Sequence, residues 1–328
     1  KGVCSPKDIE TMLQLLYLNF TQPRFDRADY DNLIKMVRSQ LENARTNPDF
    51  LMQEKVIDVT YGDNPRRQMI SNEIVDKFDF EQLPAIYAKL YPGANGFVFT
   101  FVGNIDPETL KPLVEKYIGS IPAAKKPLNY IDDKVAPVKG EVTEEFTAPM
   151  QQPKVSVLYY YSGKMPYTFK DRMALSFLAQ ALNSRYLISI REEKGGTYGV
   201  RVKGSTEYIP HQTYDMTISF DTNEEMADEL CEIVLKEIQE IAENGPKTED
   251  IEKNREFMLK NWKNSLELNQ GWMNYIQAKY GSGLNYVGEY EQAVRDLTND
   301  DVQALAKKIL ADGNLVKVVM RPAKAEEK

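Results

Sequence analysis

Residues Leu182 to Val200 read LNSRYLISIREEKGGTYGV. The spacing predicts an apolar helix ending in this stretch, a reversal at Gly195-Gly196, and a strand opening at about Thr197. Arg191 falls in the last helical turn and Tyr198 at the start of the strand, so the reversal brings both onto one edge. Arg191 offers a planar cation with several donors, and Tyr198 a phenolic donor. Both can bond a carbonyl oxygen as it becomes an oxyanion, which is the usual need in amide hydrolysis; neither can supply the nucleophile. A purely architectural role is equally open at this point. An arginine in a last helical turn suits the helix dipole, and a tyrosine opening a strand often only packs.

Around this stretch lies a chain of 328 residues, more than one core usually holds, so two domains are expected. Its apolar fraction of 42% and charged fraction of 27% are those of an ordinary globular protein. No apolar run reaches the roughly 18 residues of a membrane span. The net charge of −8 argues against nucleic acid as the main partner, because phosphate binding needs a concentrated basic face. Cys4 and Cys231 form neither a CxxC nor a disulfide framework, and Cys231 falls on the apolar face of a helix. The opening KGVCSPKDIE carries no signal-peptide pattern. His211, the single histidine, follows Pro210 in a loop between two strands, without the partners that a zinc site or a catalytic triad needs.

Upstream, Ser5 or Asp8 can cap a helix carrying Ile9, Met12, Leu13, Leu16 and Leu18. Asp26 or Asp29 opens a second, and Asn47-Pro48 a third. Asp79 with Gln82 resembles a capping box for a helix through Leu90, and Gly96 to Val102, GFVFTFV, reads as a strand. Asp106-Pro107 starts a helix to Tyr117, after which Ile121 to Pro137 holds three prolines and several lysines and reads as a linker. Two strands follow, Gly140 to Thr147 and Lys154 to Tyr161, then a helix from Phe169 into Leu182 and a shorter one over Arg185 to Glu192. Beyond the central stretch come a strand from Thr213 to Asp221 and a helix striped with Met226, Leu230, Val234, Ile238 and Ile241. Helices from Thr248, Gly271 and Thr298 and a strand from Leu315 to Met320 complete the order.

The order from Ile9 to Val102 matches that from Met226 to Met320, with Pro23 and Pro246 at equivalent points and GFVFTFV opposite LVKVVM. This is an internal repeat of roughly 200 residues whose second copy is complete and whose first lacks its opening strands and helix. An isolated strand such as Gly96 to Val102 is not stable alone, so it must find sheet partners in this chain or another. The expectation is that Lys1 is not the natural start of the fold.

Many chemistries lack their motif. With one histidine there is no HxxEH or HExxH, and no GxSxG elbow, P-loop or GxGxxG occurs. Pairs such as Glu192-Glu193, beside Lys194, and Glu224-Glu225 read as solvated faces and are assigned no catalytic role.

The central stretch resembles the C-terminal half of the insulinase/pitrilysin zinc metallopeptidases, the inverzincins. In that family the non-catalytic half is marked by an arginine, by a tyrosine seven residues on followed by glycine, and by intervening glycines. Here those are Arg191, Gly195, Gly196, Tyr198 and Gly199, within LNSRYLISIREEKG and before VRV. The resemblance covers essentially the whole chain, as the end of the family's third repeat plus its fourth. It implies an α+β fold of duplicated metallopeptidase-like domains, with a largely antiparallel sheet, helices packed on one face, and the first repeat truncated. The boundaries expected are 1–122 for the end of the incomplete repeat, mostly helical with one or two strands, and 123–137 for the linker. The complete repeat would span 138–322, and 323–328 would be a disordered tail.

The resemblance also implies the C-terminal half of a zinc-dependent endopeptidase or oligopeptidase, closing over a peptide or unfolded polypeptide. Arg191 and Tyr198 would hydrogen-bond the substrate near the scissile bond, with Gly195, Gly196, Thr197 and Gly199 alongside it. Zinc and the general base would belong to an N-terminal half or an HxxEH-bearing subunit. This chain would carry no metal and no activity by itself. The family suggests a bacterial periplasmic setting over a cytoplasmic one. A naturally non-catalytic partner subunit and a peptide-binding scaffold without a peptidase role are the other expectations.

Overall fold

A computed structural model of the chain describes residues 1–62, 64–125, 130–192, 194 and 199–323. The fold is α+β. Its helices start where short polar side chains can accept from exposed N–H groups. Asn47 caps α3 (Pro48–Tyr61), Asp106 caps α6 (Pro107–Tyr117), and Asp26 accepts from the first turn of α2 (Arg27–Ala44). The remaining early helices are α1 (Ile9–Thr21), α4 (Asn72–Val75) and α5 (Leu83–Leu90). After them come β1 (Glu141–Ala148), β2 (Val155–Lys164), α7 (Phe169–Tyr186), β3 (Val200–Glu207) and β4 (Thr213–Thr222). The chain then runs through α8 (Ala227–Asn244), α9 (Thr248–Ser265), α10 (Asn269–Ser282), α11 (Tyr286–Asp296) and α12 (Asn299–Asp312) to β5 (Leu315–Pro322). Thr298 and Asp301 form a reciprocal capping box on α12, and Gly313 ends it at φ 61°, where glycine alone is free of Cβ strain.

The strands make one sheet in the order β1-β5-β2-β4-β3, antiparallel except for the parallel β1–β5 pair. Period-2 alternation sorts its faces. Val157 and Tyr159 of β2 and Met216 and Ile218 of β4 point to one face, beneath α7, α8 and α12. The α8 stripe of Leu230, Val234, Ile238 and Ile241 is buried there as the sequence predicts, and so is Cys231. The opposite face is covered at β1 and β5 by α3, whose Met52 packs with Val316, Val318 and Met320. The sheet's two edges are β1, which carries Glu141, Glu144 and Glu145, and β3.

The chain packs as two discontinuous units. One holds Lys1–Glu42, Ile70–Ile131 and Leu266–Tyr280; the other holds Asn43–Met69, Asp132–Ser265 and Gly281–Lys328. The second contains the whole sheet. The first is helical, with Leu13 and Val75 buried and an aromatic cluster in which Phe20 meets Tyr91 and Phe97 edge-on.

Two expectations are corrected. Gly96 to Val102 forms no ladder among the described residues, and Val98 is 66% exposed, because the first unit offers no neighbouring strand. Arg185 to Glu192 is not a separate helix: α7 runs through Tyr186 and passes directly into a π-helical turn, Leu187–Glu192. Helix α11 is additional to the sequence reading. The tail residues 324–328 lie outside the described residues.

Candidate functional site

Arg191 is exposed near the end of the π-helical turn. Such single turns recur at functional sites, because they displace side chains from the regular helical stripe. The turn continues α7, whose Phe177, Leu178, Leu182 and Tyr186 are fully buried, and Ile190 extends that buried stripe. Leu187 and Ile188 fall off the stripe and stay exposed beside Arg191. The sequence reading missed this apolar pair, although the heptad-like spacing of its buried neighbours marks 187 and 188 as outward-facing. Of the other predicted site residues, Gly199 is exposed just before β3. Gly195, Gly196, Thr197 and Tyr198 lie outside the described residues.

The turn is fastened to α8. Arg185 donates through Nη1 to Glu237 Oε2 at 2.8 Å, with their side chains only 15% and 18% exposed. Removing one partner of such a pair leaves a charge in a poorly solvated place, at a cost of about 3 kcal/mol. The Tyr186 hydroxyl donates to the Val234 carbonyl at 2.9 Å. Burial holds the Tyr186 pKa well above that of a free phenol, so the donor proton is kept across the working range. Lys194 pairs with Glu229 at 2.6 Å on the outer surface. Within the turn the Ser189 hydroxyl bonds back to the Arg185 carbonyl at 3.0 Å.

Where β3 begins, α7 comes close to the sheet. The Asn183 amide donates to the Val202 carbonyl at 3.1 Å and accepts from the Val202 N–H at 2.9 Å. Leu175 packs directly on Gly204, where a Cβ would sit 2.5 Å from the leucine side chain. An exposed guanidinium on a braced turn beside a sheet edge can hydrogen-bond a peptide carbonyl, and it can stabilise negative charge on that oxygen.

Among the described residues no group of three or more His, Cys, Asp or Glu side chains is placed to hold a metal. His211 pairs with Asp132 at 3.1 Å, in the loop position the sequence predicts. A hollow of about 360 Å³ lined by Glu256, Leu259, Lys260, Lys263, Asn264 and Arg295 includes no residue of the Arg191 turn. Among the described residues no helix is long and apolar enough to cross a membrane.

Similarity to known proteins agrees with this architecture. The sequence pattern of the peptidase M16 inactive domain matches residues 77–258, more than half of the chain. A zinc protease PQQL-like protein of Arabidopsis thaliana is 25% identical over 304 residues, covering 86% of this chain and 31% of that protein. The periplasmic protease PqqL from Escherichia coli shares the fold, with a TM-score of 0.83 at 18% identity over 98% of this chain and 36% of that one. The peptidase M16 inactive domain from Pseudomonas fluorescens shares it too, with a TM-score of 0.81 at 19% identity over 100% of this chain and 78% of that one. The chain spans about a third of the length of the curated relatives it matches. With the Arg191 stretch inside the matched region, the family that the sequence resembles is the one it falls in: the chain belongs to the peptidase M16 inactive-domain family.

Proposed function

We propose that this chain is the C-terminal, non-catalytic part of a zinc-dependent endopeptidase or oligopeptidase. It closes over an extended peptide or unfolded polypeptide and hydrogen-bonds the backbone near the scissile bond through Arg191 and Tyr198. Gly195, Gly196, Thr197 and Gly199 line the same stretch and let the peptide come close. Zinc and the general base belong to an N-terminal half or an HxxEH-bearing subunit. In this proposal residues 1–122 end one repeat, 138–322 form a complete one, and the periplasm is the compartment. The observation that carries it is an exposed Arg191 on a braced π-helical turn in a chain of this family. Relatives named as zinc proteases support the reaction class.

The test uses the full protein, with its zinc-bearing half, and a fluorogenic peptide. Arg191→Ala and Tyr198→Ala should each lower kcat/KM by about 10²- to 10³-fold, the scale of losing one oxyanion donor, while bound zinc stays unchanged. A chelator should abolish turnover of the parent. Unchanged turnover in both variants would reduce the chain to a binding module.

A further inference from the structure

β3 is an edge strand, hydrogen-bonded only to β4 within the sheet. In an antiparallel pair, alternate residues aim their N–H and C=O away from the partner. Val202 is such a residue, because both of its backbone groups meet the Asn183 side chain. A primary amide carries the same donor and acceptor as a peptide unit. Asn183 therefore stands where the next strand's backbone would be, and it does so from the last turn of α7. The two residues are 19 positions apart in sequence. Between them lies the whole turn with Arg191.

A second contact acts on the same two elements. Leu175, further back along α7, packs on Gly204, two residues beyond Val202. Two points of attachment fix both the height and the rotation of α7 against β3. The alternation of buried Val202 with exposed Arg201 and Lys203 decides which face of β3 is buried. It does not decide how far the strand is drawn along α7. The amide pair does, because its two hydrogen bonds hold only at one offset.

We propose that Asn183 is a positioning residue: by serving as the ladder partner of Val202, it sets where the chain leaving the Arg191 turn re-enters the sheet, and hence where Arg191 stands. This rests on the role of Arg191 given under Proposed function. The same contact closes the β3 edge at Val202 to strand addition, so a bound peptide meets the turn and not that part of the edge.

The experiment measures peptide turnover by the full protein carrying Asn183→Leu, which has a similar volume but no amide. A lowering of about 10- to 100-fold is expected, in kcat more than in KM. In an Arg191→Ala background the same change should cost less than about twofold, because the group it positions is already gone. Should Asn183→Leu not fold, Asn183→Asp keeps the acceptor for the Val202 N–H and loses the donor. It should fall between the parent and the Arg191→Ala protein. Amide hydrogen exchange at Val202 should speed up at least tenfold in Asn183→Leu, which loses the acceptor, and stay near the parent's rate in Asn183→Asp, which keeps it. The proposal is overturned if Arg191→Ala lowers turnover while the Asn183 variants leave kcat and KM within twofold of the parent. It is overturned equally if the Asn183 and Arg191 effects multiply in full, which is what a general loss of stability would give. If Arg191→Ala alone has no effect, the role of Arg191 fails, and the positioning role fails with it.

Discussion

Leu315–Pro322 and Gly96 to Val102 are the two segments that the sequence sets opposite each other, and they end differently. LVKVVM and GFVFTFV are both apolar and rich in strand-forming residues; the first follows α12, capped by Thr298, and the second follows α5, which is led in by a 3-10 turn, Phe80–Gln82, capped by Asp79. The first is β5, flanked by β1 and β2, with Val316, Val318 and Met320 buried against α3. The second has no ladder among the described residues, and Phe97 instead lies on the rings of Phe20 and Tyr91. Local propensity is the same in both. What separates them is whether neighbouring strands satisfy the backbone, so strand propensity is a statement about context before it is one about the segment.

The contrast can be broken by substitution. Val318→Asp places a charge at a fully buried point of β5 and should cost about 4 kcal/mol or more, which chemical denaturation would read as loss of the cooperative transition. A loss under about 1 kcal/mol would mean that β5 is not the centre of the sheet's stability. Next comes the cap before the strand. Thr298→Ala removes the capping box on α12 and should cost about 1 kcal/mol, against about 0.5 kcal/mol for Asp79→Ala at the 3-10 turn Phe80–Gln82 that leads into α5.

A smaller effect depends on pH. Burial of the Asp301 carboxyl raises its pKa, but the hydrogen bond from Lys170 and those from the Thr298 N–H and hydroxyl outweigh this and hold it below the usual value. A folded-state pKa below the unfolded one contributes stability above the unfolded value, near 4, and that stability is lost as pH falls through the lower folded value. Asp301→Asn should therefore flatten the fall in stability below about pH 4, and an unchanged acid limb would remove Asp301 from the account. The smallest change belongs to the unpaired segment. Val98→Asp should shift stability by no more than about 0.5 kcal/mol, since Val98 is already exposed.

Much of the helical half is legible in the sequence because its signals are local. Asn47 and Asp106 each precede a helix and accept from its first N–H groups, and Asn223 accepts from the Met226 N–H just ahead of α8. Helix α11 is not legible in this way. Gly288 interrupts YVGEYEQAVRD and only Val294 is buried. The helix is held by distant groups: Tyr286 and Tyr290 meet Phe169, and Arg255 donates to the carbonyls of Val294, Arg295 and Leu297. At the candidate site, Arg191 could be found because a family pattern fixes its spacing to Tyr198. The reach of Asn183 to Val202 left no trace, since it joins a side chain to a backbone across a turn and repeats with no period. The polar Asn183-Ser184-Arg185 run even suggests a helix end. The helix continues there because Glu237 and Val234 receive Arg185 and Tyr186.

The free edge of β1 has a consequence for how the chain behaves at high concentration. Glu141, Glu144 and Glu145 lie along it, the second paired with Lys55 and the third with Arg321, and charged side chains on an edge strand disfavour pairing edge to edge. GFVFTFV has no charged residue at all, and its composition is that of segments that stack into intermolecular sheets. Self-association of the chain is thus steered away from its well-formed sheet and toward the segment that has none.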